Sequence, residues 1–226
     1  MRQTVLGILA ALLLVVSTAC SFSAKDPHYV PPDPLPPLEQ LTQVPVTEQT
    51  TLSAGEDVTA FITADRNVVC AMTSSRGGHL NVPYLPNTYS DAANNKFPVV
   101  PVVHCELAKY GKPAPEDFSD DCAGTGLGYL GGTVLLTPDK AVYGSCRSGV
   151  TQMESEFGPK GTKDGPISKL RELGEGQNIE RNGLRCSAYN GGVACGNVSG
   201  GVAFFVSREG YQLISDGGKT VRGTLA

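Results

Sequence analysis

Seven cysteines hold most of the reactive chemistry of this 226-residue chain: Cys20, Cys70, Cys105, Cys122, Cys146, Cys186 and Cys195. A thiol can ligate metal, carry a lipid or oxidise with a second thiol, and spacing separates these fates. Zinc sites use close pairs such as Cys-x-x-Cys, completed by histidine. No such pair occurs, and the only histidines are His28, His79 and His104. The spacing therefore points to disulfides, with no metal and no other cofactor expected. In "CSAYNGGVAC" (186–195), Asn190-Gly191 is a strong signal for a two-residue type I′ hairpin. With those two residues at the tip, Tyr189 faces Gly192 and Cys186 faces Cys195. That pair falls at a non-hydrogen-bonded position, where Cα atoms approach to about 4.5 Å, inside disulfide range. A three-residue turn would shift the register and undo the facing. The remaining four pair most simply as neighbours, Cys70 with Cys105 and Cys122 with Cys146, but three connectivities are open.

Other groups have spacings that invite chemistry and contexts that argue against it. "GLGYLG" (126–131) matches the dinucleotide pattern Gly-x-Gly-x-x-Gly, yet Asp120-Asp121-Cys122 precedes it and a β-rich run follows. A pyrophosphate site needs a strand before and a helix after, so these residues read as a glycine-rich turn. Glu116, Asp117, Asp120 and Asp121 cluster in "PEDFSDD" without the spacing of a calcium loop, and read as a solvated acidic loop. There is no Gly-x-Ser-x-Gly elbow to serve the histidines. In "VAFFVSREGYQL" (202–213), Phe204 and Phe205 point to opposite faces of a strand, so one belongs to the core. Arg208 and Glu209 then read as turn residues rather than ligand contacts.

The elements that position these residues begin with an export signal. Arg2 precedes a charge-free aliphatic run, Thr4 to Ala19, which is shorter than the roughly 20 residues of a membrane span. Ser17-Thr18-Ala19-Cys20 closes it and resembles the lipobox of bacterial lipoproteins, with Ser17 where leucine is commonest. That resemblance implies cleavage after Ala19 and a diacylglyceryl group on Cys20, which becomes residue one. The odd cysteine count agrees, because a free thiol in an oxidising compartment invites unwanted pairing. Two acyl chains hold to a bilayer much more firmly than one. The whole chain has a formal charge of −4 and no basic run, and loss of Arg2 makes the mature chain about one unit more negative. Nucleic acid and anionic lipid surfaces are poor partners for such a charge.

Residues 20–52 form the lipidated cysteine and its stalk. Seven of the 21 residues from 25 to 45 are proline, which predicts an extended, polyproline-like spacer. From residue 53 to 226 the composition is that of one folded domain. Short β-rich runs recur at 58–63, 67–72, 99–107, 132–137, 140–146, 183–189, 192–198 and 202–207. The expected class is mainly β, a small antiparallel β-sandwich or partly open barrel with short helices and three disulfides. The clearest helix candidate is "PISKLRELG" (166–174), while 73–98 and 147–165 read as loops.

The pattern "FITADRNVVC", "VVHCEL", "CAGTGLG", "AVYGSC", "NGLRCSAYNGGVAC" and "GGVAFFVSREGYQL" also resembles an uncharacterised domain of exported actinobacterial proteins and lipoproteins. The match is diffuse over 58–214 and strongest from Cys186 to Tyr211. It departs from that family in having no tryptophan and in an expanded stretch near 150–168. The resemblance implies cysteines paired along the chain and an envelope setting, and it implies no activity. The functional expectation is a non-enzymatic, lipid-anchored envelope protein whose domain binds a protein or glycan. An accessory subunit of a membrane complex and a cell-wall hydrolase with a spatially assembled site are the alternatives.

Overall fold

A computed structural model of the chain describes residues 36–46, 52–55, 57–85, 89–114, 122–215 and 220–224, all within the compact unit Pro34–Ala226. The signal segment, Cys20, the first part of the stalk and the acidic residues 116–121 lie outside the described residues.

The chain enters the domain through a helix, α1 (Pro37–Gln43), where the sequence predicts extended stalk. The prolines are compatible with the switch. Pro37 occupies the first helical turn, where its missing N–H costs nothing and its fixed φ suits a helix. The helix stops at Val44, whose extended backbone (φ −86°, ψ 128°) is what the following Pro45 demands.

The strands then build two sheets that face each other without closing into a barrel. The first contains β1 (Ser53–Gly55), β2 (Val58–Thr63), β3 (Val68–Arg76), β4 (His79–Leu80), β5 (Val99–Leu107), β6 (Gly128–Leu136) and β7 (Ala141–Arg147). Its order is β1-β2-β3-β5-β6-β7, with β4 added to β3. A second helix, α2 (Gln152–Phe157), follows, and then β8 (Glu172–Leu173), which pairs with β2 in parallel. The second sheet is an antiparallel meander of β9 (Asn178–Arg181), β10 (Leu184–Tyr189), β11 (Gly192–Asn197), β12 (Val202–Ser207), β13 (Gly210–Ile214) and β14 (Thr220–Thr224).

Strand alternation sorts the side chains into layers. The inner faces meet in one core that includes Phe61, Met72, Val103, Leu107 and Leu136 from the first sheet and Ile179, Val193, Phe204 and Val206 from the second. The outer faces are also covered. Val58, Ala60, Ile62, Val69 and Ala71 lie beneath Val82, Tyr84, Met153 and Ile167. Tyr189, Ala194, Ala203 and Ile214 lie beneath Leu41 of α1. Cover on both sides explains why strands such as β2 and β3 read as continuous apolar runs rather than as alternation.

Three expectations change within this frame. The stretch 147–165 contains α2, opened by a capping box in which Thr151 and Glu154 bond each other's backbone amides. The predicted helix at 166–174 is only one 3₁₀ turn, Ile167–Lys169. Beyond it the backbone is captured by the sheet, because Ile62 N–H donates to the Arg171 carbonyl and β8 lines up on β2. The predicted loop 73–98 likewise yields the end of β3, then β4 and a 3₁₀ turn at Ala92–Asn94.

Candidate functional site

All six downstream cysteines are consumed in pairs: Cys70–Cys105, Cys122–Cys146 and Cys186–Cys195. Asn190 and Gly191 form the predicted hairpin tip with φ of 51° and 67°, and Tyr189 faces Gly192. Cys186 therefore meets Cys195 directly across β10 and β11, with Cα atoms 4.1 Å apart. Cys70 and Cys105 meet in the same way across β3 and β5, also at 4.1 Å. Each of these bridges lies on the inner face of its sheet, so the two stack in the sandwich core. The sulfurs of Cys70, Cys105 and Cys195 consequently lie within 4.8 Å of one another. Bonded in S–S pairs, they offer no thiolate to a metal.

The other predicted residues are spread over the fold. Phe204 is buried in the core, and Phe205, on the opposite face, packs edge-on against Tyr189 beside α1. Tyr211 stacks on Tyr143 across the two sheets, with ring centroids 3.7 Å apart. Arg208 pairs with Asp65 at 2.8 Å. In "GLGYLG", Gly126 is a turn residue with φ of 71°, and β6 begins at Gly128. His79 is exposed on β4, whereas His104 is buried on the outer face of β5.

His104 belongs to a buried polar set that the sequence does not announce. His104 and Glu106 lie two residues apart on β5, and Glu106 is only 2% exposed. The Glu106 carboxylate accepts a hydrogen bond from the Met153 amide in the first turn of α2, at 2.9 Å. This holds the helix against the sheet. Tyr84, 5% exposed, lies near the same carboxylate, and its hydroxyl has no hydrogen-bond partner among the described residues. Burial, reinforced by the Glu106 charge, raises the Tyr84 pKa well above that of a free phenol, so it stays a donor. Burial lowers the His104 pKa and Glu106 opposes the shift. Its Nδ1 is buried without a partner among the described residues.

Tyr84 also lines a cavity of about 310 Å³ on this side of the first sheet. Leu52, Ala54, Ala60, Pro83, Pro166 and Leu170 supply apolar walls, and Lys169 and Arg171 supply charge. Among the described residues the lining contains no histidine, carboxylate, serine or cysteine. Both cations are exposed, and neither has an ion-pair partner among the described residues. The cavity owes its cations to the 166–171 turn. Lys169 ends the 3₁₀ turn, and Arg171 is carried by the segment bonded to β2. Sequence reasoning missed them because it assigned both to a helix. The alternation Lys-Leu-Arg around a partly buried Leu170 was the available signal.

Comparison with protein-family models, curated proteins and solved structures returned no match. Nothing about a site is therefore transferred to this chain from a relative. Among the described residues no helix is long and apolar enough to cross a membrane.

Proposed function

We propose that the chain is a non-enzymatic lipoprotein of the cell envelope. Acylated at Cys20, it presents the disulfide-stapled β-sandwich as a binding domain on the outer face of the cytoplasmic membrane. The observation that carries this reading is the fate of the sulfurs. Six are paired inside the domain, which leaves Cys20 as the odd seventh of the sequence, placed directly after a signal-like run. Three disulfides suit an oxidising, extracytoplasmic compartment. The resemblance to exported actinobacterial domains agrees with the same setting.

The docked α1 shortens the spacer. Fifteen residues separate Cys20 from Pro36, a contour of about 50 Å if fully extended. The domain would therefore work close to the lipid surface, where a tethered module gains from high local concentration.

Gentle detergent extraction followed by co-purification tests the reading. The wild-type chain is expected to fractionate with membranes and to retain an envelope protein or glycan. The Cys20→Ala chain is expected to lose the acyl group and that association. A monodisperse wild-type chain without partner would remove the binding role. Retention on one defined membrane complex would make it an accessory subunit.

A further inference from the structure

The cavity beside Tyr84 has a composition that specifies a ligand class. Among the described residues its walls are apolar, its two charged groups are both cations and it contains no acid, on a chain in which 22 acidic residues outnumber 18 basic ones. A volume of about 310 Å³ lies at the small end of ligand sites, which are mostly apolar with a few convergent polar groups. Lys169 and Arg171 are exposed and have no ion-pair partner among the described residues.

We propose that this cavity binds a small amphipathic anion, a carboxylate or phosphate monoester bearing a short apolar group. The anionic group sits between Lys169 and Arg171, and the apolar group lies against Leu52, Ala60 and Leu170. Arg171 supplies the forked donors that match a carboxylate or phosphate, and Lys169 adds a compact charge. The same chemistry is offered by a free metabolite and by the headgroup region of an anionic lipid. The inference rests on the binding-domain reading and gives it a ligand.

The test uses the full mature chain in zwitterionic lipid nanodiscs, with the backbone amides of Leu170 and Arg171 followed by NMR. The probes are 3-phenylpropionate, phenyl phosphate, the uncharged 3-phenylpropionamide and inorganic phosphate. The two aromatic anions are expected to shift these amides and to bind about tenfold more tightly than the amide or inorganic phosphate. The double variant Lys169→Gln/Arg171→Gln is expected to weaken both anions about tenfold. Unchanged signals from the Cys186–Cys195 hairpin would show that the variant keeps its fold. Shifts at Leu170 and Arg171 on moving to anionic nanodiscs, without added probe, would assign the lipid headgroup as the source. Their absence there, with probe binding intact, would assign a free ligand. The proposal is overturned if the uncharged amide binds as well as the anions, if inorganic phosphate alone suffices, if the double variant binds normally or if no probe binds. These outcomes leave co-purification unaffected, so failure here and failure of the envelope role are distinguishable.

Discussion

At the residue scale, three buried polar groups give separate predictions. Tyr84 keeps a hydroxyl out of water without a partner among the described residues, so Tyr84→Phe should be neutral or stabilising by up to about 1 kcal/mol in the ligand-free domain. A fall in melting temperature would show that the hydroxyl has a partner after all. Asn178 differs in that its side-chain amide nitrogen is bonded, while its Oδ1 has no partner among the described residues. Fully buried on β9, it donates to the carbonyls of Gln40, Leu41 and Val44, and so closes the C-terminal end of α1. Asn178→Ala leaves those acceptors with fewer partners and should cost about 1–3 kcal/mol in denaturant unfolding. His104 titrates. Because burial depresses its folded pKa, the unfolded chain binds the proton more readily. Its contribution is present above the unfolded value of about 6.5 and is lost as pH falls below it. Stability should decline from pH 7 toward pH 5, and His104→Gln should flatten that slope.

At the element scale, local signals were legible wherever their partners lay close in sequence. The hairpin at 186–195 follows from Asn190-Gly191 and period two, and its register came out residue for residue. The helix α2 carried an equally local signal, Thr-x-x-Glu before Phe157-Gly158, within a stretch read as loop because of its polarity. Thr151→Ala should therefore cost about 1 kcal/mol and loosen α2, measurable as faster amide exchange at Glu154. The Glu154 side chain also accepts from Tyr110 and pairs with Arg147, tying the helix to β7. Tyr110 in turn lies over Gly132, where φ is 85° and an added Cβ would come 2.5 Å from the ring. The helix α1 was not legible, since its stability comes from residues nearly 140 positions away. Gln40 donates to Ser187, and Arg185 donates to the Leu41 carbonyl. The 166–174 segment failed for the same reason: its fate is set by the edge of β2, not by its own periodicity.

At the scale of the whole molecule, the sulfur atoms unite fold and proposed placement. Two cross-strand bridges stack between the sheets, and the third joins Cys122 to β7. In the loop-entropy picture the bridge closing the longest loop, with a separation of 35 residues, contributes about 3–4 kcal/mol. Chemical reduction should accordingly lower the melting temperature well beyond the effect of any single substitution above. The sequence predicted a mainly β class, sandwich or partly open barrel, and paired cysteines, because periodicity and cysteine count are global properties of the chain. The cavity is different. Its lining comes from β1, β2, the 83–84 turn and the 166–171 turn, distant segments that only the folded sheet brings together. The central claim is a division among seven sulfurs, one lipidated and six oxidised. Intact mass of the membrane-extracted protein tests it most directly. A chain starting at Cys20, heavier by its acyl groups and lighter by the six hydrogens of three bridges, is the expected result. An unacylated chain, or one whose later cysteines remain as free thiols, would contradict it.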